Sequence, residues 1–446
     1  MTAIVKTAPR IAGKTPAPRP ASTPRFLKLS AAGLVLGTLA FLLVVERSVA
    51  SVRRTVQTVG RDAVPSIVAA EEIRTTLSRA HAHALRAAAL GDDAQWKLHD
   101  RDLALAADRL VTAAQNITYG EEERGPIVRM IERTNAYSAL VGAARIQGTL
   151  SGPTLRRASA LMQDELLPAA EALDSANFTH LDREYAASRA ESPRAGLVVS
   201  GLLLLGGLAA VQWSFARRFK RLVNVPLALA TFAVLGLLVQ VSSNLGEASE
   251  HLRIAKADAF DSIHVLWKAR AVAYAARCDE SLLALQGRSQ DETALKAKLA
   301  LLATGPLDDA TMALARRGRD VPIQGYLGDE LRNVTFPGER EVAVSLCIAF
   351  RDCVGQDEAL RAQLGRASGE ERPRCLSRVP GLDFTFDRLD EGLGLAIELN
   401  GRELDKEVAG AFDALDPLAS IAAAVAVATC GLVLLGVRAR LAEYAV

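Results

Sequence analysis

The residues of this chain best suited to chemistry are its six histidines and five cysteines. His81 and His83 stand two apart, so on a helix they diverge by about 200° instead of sharing one face, as metal-binding histidines four apart would. His99, His180, His251 and His264 are scattered singly, and no Gly-x-Ser-x-Gly, phosphate-binding loop or Cys-x-x-Cys occurs. The pattern implies no enzyme, no metal and no other cofactor. Cys278, Cys347, Cys353 and Cys375 fall in one polar segment and Cys430 in an apolar run. An even number in an oxidising compartment suggests disulfides. Cys347 and Cys353 are separated by about 9 Å of helical rise, too far to bridge. The expected pair is Cys353 with Cys375, across the turn ASGEERPRC.

Hydrogen-bonding chemistry inside helices is written twice. NFTHLDRE and NGRELDKE share the pattern Asn-x-x-x-Leu-Asp-basic-Glu, and each stands eleven residues ahead of a long apolar run. DAVPSIVAAEEIR (62–74) likewise matches DAFDSIHVLWKAR (258–270) at an offset of 196, which also carries Ala80 onto Ala276 and Gly91 onto Gly287. Such self-similarity is the mark of an internal repeat. Each copy then holds a polar layer where its two membrane-connected helices meet. The layer comprises Asp62, Asn177, Leu181 and Glu184 in the first copy, and Asp258, Asn400, Leu404 and Glu407 in the second. Asn177, Leu181 and Glu184 follow i, i+4, i+7, one helical stripe. The layer either fixes helix register, as a polar residue does in a coiled-coil seam, or acts as a switch between two registers.

These elements must be placed by a membrane. Half of the 446 residues are hydrophobic, only 5% are aromatic, and the mean hydropathy is +0.15. Four runs are long and uncharged enough to span a bilayer: 29–45, 195–213, 222–243 and 418–437. Ser48-Val49-Ala50 offers small residues for cleavage after the first run. A 28-residue leading tail and a run longer than a signal-peptide core favour an uncleaved anchor. The tail (1–28) carries six basic residues and no acid, and the loop 214–221 carries Arg217, Arg218, Lys220 and Arg221. These segments and 438–446 are therefore expected in the cytoplasm of a plasma-membrane protein, with 46–194 and 244–417 outside. The basic tail is too polar to fold alone. The basic loop suits either anionic headgroups or a cytoplasmic docking partner.

Between the spans the first outside segment reads as four helices, 46–90, 93–117, 121–149 and 153–193, separated by Gly-containing breaks. Short loops make this an up-down-up-down bundle. The second segment keeps helices at 244–286, 338–366 and 382–417, with an irregular insert whose Thr335, Phe336, Pro337 and Gly338 are the expected partner-binding loop. The fold class is mostly α: a polytopic membrane protein with four transmembrane helices and two extracytoplasmic helical bundles.

The span, four-helix bundle, span unit of residues 29–213 resembles the sensory domains of bacterial chemoreceptors and histidine kinases. ASALMQDELLPAAEALDSANFTHLDREY, with Leu166-Leu167-Pro168 and Asn177, is similar to their last helix. The whole chain also resembles the GlnX-type actinobacterial membrane proteins, through DAFDSIHVLWKARAVAYAARCDES and YLGDELRNVTFPGERE. That resemblance implies two partners: a periplasmic solute-binding lipoprotein of the GlnH type, sensing an amino acid, and a cytosolic Ser/Thr kinase of the PknG type. Cys278, Cys347, Cys353 and Cys375 depart from its pattern.

The expected function is accordingly a transmembrane sensor that hands an outside signal to a separate cytoplasmic protein, because so few residues remain inside to fold a catalytic core. A transporter is disfavoured by spans without charge. A passive envelope scaffold, or a transporter-associated subunit, is the alternative. Gly33-x-x-x-Gly37 and Gly206-Gly207 suggest close span packing, within the chain or in a homodimer. The lipid bilayer is a partner by composition, and nucleic acid is not.

Overall fold

The computed structural model describes residues 22–147, 152–190, 193–219 and 224–441. Among them β pairing is confined to one antiparallel bridge between Thr304 and Gln324. The protein is a mostly-α polytopic membrane protein, with four helices long and apolar enough to cross a membrane.

The chain divides into two compact units. One comprises 1–48, 193–243 and 417–446; the other comprises 49–192 and 244–416. In the first unit, α1 (Ser22–Gln57) contributes its apolar half, joined by α7 (Pro193–Phe219), α8 (Val225–Arg253) and α16 (Leu418–Leu441). Glycines let these helices approach closely. A Cβ at Gly201 would meet Leu238 at 2.8 Å and Phe41 at 3.2 Å, and one at Gly37 would meet Leu204 at 3.3 Å, whereas Gly33 faces open space. Gln212 Nε2 donates to Thr231 Oγ1 (2.8 Å), and Asn224 Nδ2 to the Gly436 carbonyl (3.1 Å), so span-end polar groups are satisfied within the protein.

The second unit holds both polar segments. In its first half α2 (Val64–Leu90), α3 (Asp93–Gln115), α4 (Glu121–Gln147) and the pair α5 (Pro153–Leu161) and α6 (Leu167–Ala190) form a four-helix bundle. Their breaks fall where the Gly-Asp-Asp and Tyr-Gly-Glu stretches place them. Asp92 caps α3 by accepting from the Ala94 N–H at 2.8 Å. The second half is built on α9 (Asp261–Gln286), α10 (Ser289–Leu302), α13 (Glu339–Leu364) and α15 (Leu382–Leu415). Its irregular insert contains α11 (Asp309–Arg316) and α12 (Tyr326–Arg332), and α14 (Glu371–Arg378) precedes α15. α2 and α9 end alike: Gly91 and Gly287, 196 apart, both adopt φ 67° as left-handed caps, a conformation that favours glycine.

The halves are not separate columns. α2 packs along α9 within one compact unit. Tyr274, Cys278 and Leu282 of α9 enter the core formed by Ile73, Leu77 and Leu85 of α2 and Tyr137 of α4. Both helices are alanine-rich and buried along most of their faces, as expected of central rather than surface helices.

All five cysteines are free thiols, which corrects the expected Cys353–Cys375 bridge. Cys353 packs on the α13–α15 core toward Thr385, while Cys375 belongs to the cluster formed with Leu283, Leu364 and Leu376. Burial pushes the Cys347 and Cys353 thiols up to about 12, so they stay protonated and unreactive. Denaturing the protein without reductant and adding iodoacetamide should label all five thiols; recovery of only three would establish a bridge.

Candidate functional site at the seam between the two halves

The repeated layer is built around an unexpected backbone feature. Residues Thr58–Ala63 and Ile254–Phe260 are π-helical, at starting positions 196 apart, each within a helix that runs on from a span. A π segment holds about one residue per turn more than an α-helix, and such segments are frequent at functional sites. Its i, i+5 geometry is used identically in both halves. Gln57 Nε2 reaches Asp62 Oδ1 at 3.5 Å, and Arg253 Nη1 reaches Asp258 Oδ1 at 3.2 Å. Asn177 on α6 and Asn400 on α15 are fully buried beside these segments, and in each the side-chain Oδ1 lacks a hydrogen-bond partner among the described residues. Asn400 Nδ2 donates to the Ala396 carbonyl, 3.2 Å away. Leu181 and Leu404 are buried as the stripe requires. The two glutamates diverge: Glu184 is exposed, whereas Glu407 is buried and bonds His251 Nδ1 at 2.6 Å.

The layers also cross between halves. Lys256 of the second π segment pairs with Asp182 of α6 at 2.9 Å, and Phe260 stacks on Phe178. Reciprocally, a Cβ at Gly60 of the first π segment would meet Val408 of α15 at 2.6 Å, and Arg61 lies over the Phe412 ring. Each π segment is thus clasped by the last helix of both halves.

The loop Thr335–Gly338 is a brace rather than a loose surface. Glu339 Oε2 accepts from the Thr335 and Phe336 N–H groups at 2.7 and 2.9 Å, and Asn333 Nδ2 donates to Ser262 Oγ at 2.8 Å. The first half repeats the device. Glu123 Oε2 accepts from Thr118 and Tyr119 at 2.6 Å each, and Asn116 Nδ2 donates to Ser66 Oγ at 3.3 Å. Sequence reasoning missed this third pair of matching stretches, Asn116-Ile-Thr-Tyr-Gly and Asn333-Val-Thr-Phe-Pro-Gly, although the Asn-x-Thr-aromatic signal is visible. Of the expected cytoplasmic docking residues, Arg217 lies over the Trp213 ring; Arg218 falls in α7, its side chain outside the described residues, as are Lys220 and Arg221 entirely.

Above the layer the seam encloses a charge cluster. His264 Nε2 lies 2.9 and 3.1 Å from the two oxygens of Asp174, its ring stacked on Phe178 and Phe260. Lys268 approaches Asp174 at 3.6 Å, and Arg74 approaches Glu71 at 3.4 Å. Glu71, Asp174 and His264 bring ligand atoms within 4.8 Å of one another. Two carboxylates already face two cations here, so the donor set suits an internally balanced network better than a divalent ion. Burial, with Asp174 adding to it and Arg74 and Lys268 opposing, pushes the Glu71 carboxyl up to about 7. Burial and the neighbouring Glu339 push Glu330 up to about 8. Of the paired histidines, His81 bonds Tyr137 and burial lowers it to about 3, while His83 bonds Gln95.

The fold is that of a helical, four-span membrane protein. Residues 55–186, from just before the first π segment to the last turns of α6, match the actinobacterial sensor domain family. That match points to a sensing role. No curated protein and no solved structure matches the chain.

A carboxyl whose folded pKa lies above its unfolded value stabilises the fold while protonated. The share from Glu71 is complete below about 4.5 and lost as pH rises through about 7. Glu71→Gln should therefore flatten the melting temperature against pH between these values and gain up to about 2–3 kcal/mol at pH 8. A variant as pH-sensitive as the parent would contradict this.

Proposed function

We propose that the chain is a transmembrane sensor and signal transducer. In this reading the helical unit faces the outside of the plasma membrane, the termini lie in the cytoplasm, and a separate cytoplasmic protein, such as a Ser/Thr kinase, receives the signal. The basic residues of the 214–221 loop and of the tail support that orientation. A periplasmic solute-binding lipoprotein fits as the outside partner. The match of residues 55–186 to sensor domains supports sensing. The chain offers no recognisable catalytic constellation in sequence, and the proposal assigns it no enzymatic step.

One observation carries the relay: two π segments at matching positions, each beside a buried asparagine with an unpaired oxygen. Converting a π segment to α changes helix phase by on the order of 100°, because about one residue per turn is redistributed. Everything on the span side of the segment would rotate relative to the helix beyond it. An orphan buried amide oxygen costs about 1–3 kcal/mol, a cost that a second register could relieve. The layer thereby supplies a two-state element that both sides of the membrane can bias. We further propose that the matched halves descend from one repeated unit, so that a single chain carries two coupled switches.

Asn400→Leu should insert normally, raise stability by about 1 kcal/mol, and abolish any nutrient-dependent change in disulfide crosslinking between cysteines placed on α1 and α7. Retention of a parental crosslinking response would remove the switch. A crosslink insensitive to nutrients in the parent protein itself would favour the passive scaffold.

A further inference from the structure

The brace of the second half carries one acid that the first half lacks. Three residues before the brace asparagine, Glu330 stands where the first half has Ala113, and at both positions the backbone carbonyl accepts from the asparagine N–H at 3.1 Å. The exchange places a second carboxylate near Glu339, the brace acid that matches Glu123. Both glutamates are 1% exposed, and Glu330 Oε1, Glu330 Oε2 and Glu339 Oε1 lack a hydrogen-bond partner among the described residues. The Ser262 hydroxyl lies close enough to ease the charge on Glu330 but makes no hydrogen bond of ordinary geometry with it. The arginines adjoining the two acids are turned elsewhere: Arg332 donates to the Ile323 carbonyl at 2.8 Å, and Arg340 to the Ala315 carbonyl at 3.3 Å. Glu71 and Asp174, by contrast, face Arg74 and Lys268. Buried carboxylates stay ionised only when paired or bound to a metal, so this pair calls for a counter-ion.

We infer that Glu330 and Glu339, with Ser262 Oγ, bind one hard divalent cation of the calcium class. Two carboxylates balance its charge, and the orphaned donors are all oxygens, which suit calcium or magnesium better than softer metals. Calcium fits best, because it accepts irregular oxygen cages, whereas magnesium keeps several waters that so buried a site does not admit. Asn333 Nδ2, which holds Ser262 Oγ, also donates to the Asp258 carbonyl of the second π segment at 3.0 Å. An ion here would therefore fasten α12 and α13 to that segment and leave the first one, with Ala113, untouched. Such a site would exist whether or not the chain transmits a signal.

Full-length protein, stripped with EDTA and held in nanodiscs of zwitterionic lipid, would be titrated by calorimetry with calcium, magnesium and zinc chlorides at about pH 8, where protons compete less. Calcium should bind at one ion per chain with a Kd below about 1 mM, more tightly than magnesium or zinc, and should raise the melting temperature. Glu330→Gln, which keeps the side-chain shape, and Glu330→Ala, which copies the first half, should each weaken binding at least about tenfold. A cooperative melt retained by the stripped Glu330→Gln protein separates a lost site from a lost fold. Absence of both calcium heat and a melting shift would overturn the assignment and leave protons as the counter-ions of the pair. Unaltered calcium binding in both variants would overturn it too. So would magnesium or zinc bound more tightly than calcium, the latter by drawing in the neighbouring Cys347 thiol.

Discussion

Packing of α2 along α9 is the constraint on which the rest of the helical unit depends. Both helices carry small residues where they meet, and Cys278 Sγ comes within 3.6 Å of the Ser78 carbonyl. Such proximity leaves no space for solvent, so every charge at the seam must find a partner inside the protein. Glu71 and Asp174 accordingly face Arg74, His264 and Lys268. Arg86 of α2 and Arg277 of α9 share Asp383 of α15 further along. Removing Asp174 or Asp383 would strand the cations that face it in a low-dielectric interior, which is why the pairing is specific rather than merely adhesive.

That pairing gives meaning to the reciprocal contacts below it. Each π segment touches the last helix of its own half and of the other: Gly60 and Arg61 against α15, Lys256 and Phe260 against α6. A change of register on one side must therefore be accommodated on the other. The glutamates show that the halves are not interchangeable. Glu407 is buried on His251, and Glu184 is left in solvent, so the two switches would differ in set-point.

Much of this architecture was legible in the amino-acid pattern. The helices of the first half, their Gly-containing breaks, and the four spans follow from periodicity and apolar run length. Asn177 and Asn400 stood out because the same Asn-x-x-x-Leu-Asp-basic-Glu pattern is written twice. What the pattern could not disclose depends on tertiary contact. A π segment leaves no composition signal, since Thr58–Ala63 reads as ordinary helix. The charge cluster unites residues from three helices, each unremarkable alone. The matching Asn-Ile-Thr-Tyr and Asn-Val-Thr-Phe braces were visible, but the proline in one shifts its spacing. The cysteine pairing failed because counting cysteines says nothing about which way Cys353 and Cys375 point.

The central claim is that the two halves clasp each other within a single chain. Asp182→Cys with Lys256→Cys, treated with a short bifunctional maleimide in membranes, tests it most directly, since these residues pair at 2.9 Å across the halves. The account predicts an internally crosslinked species at monomer mass. Crosslinks that join two chains, or none at all, would contradict it.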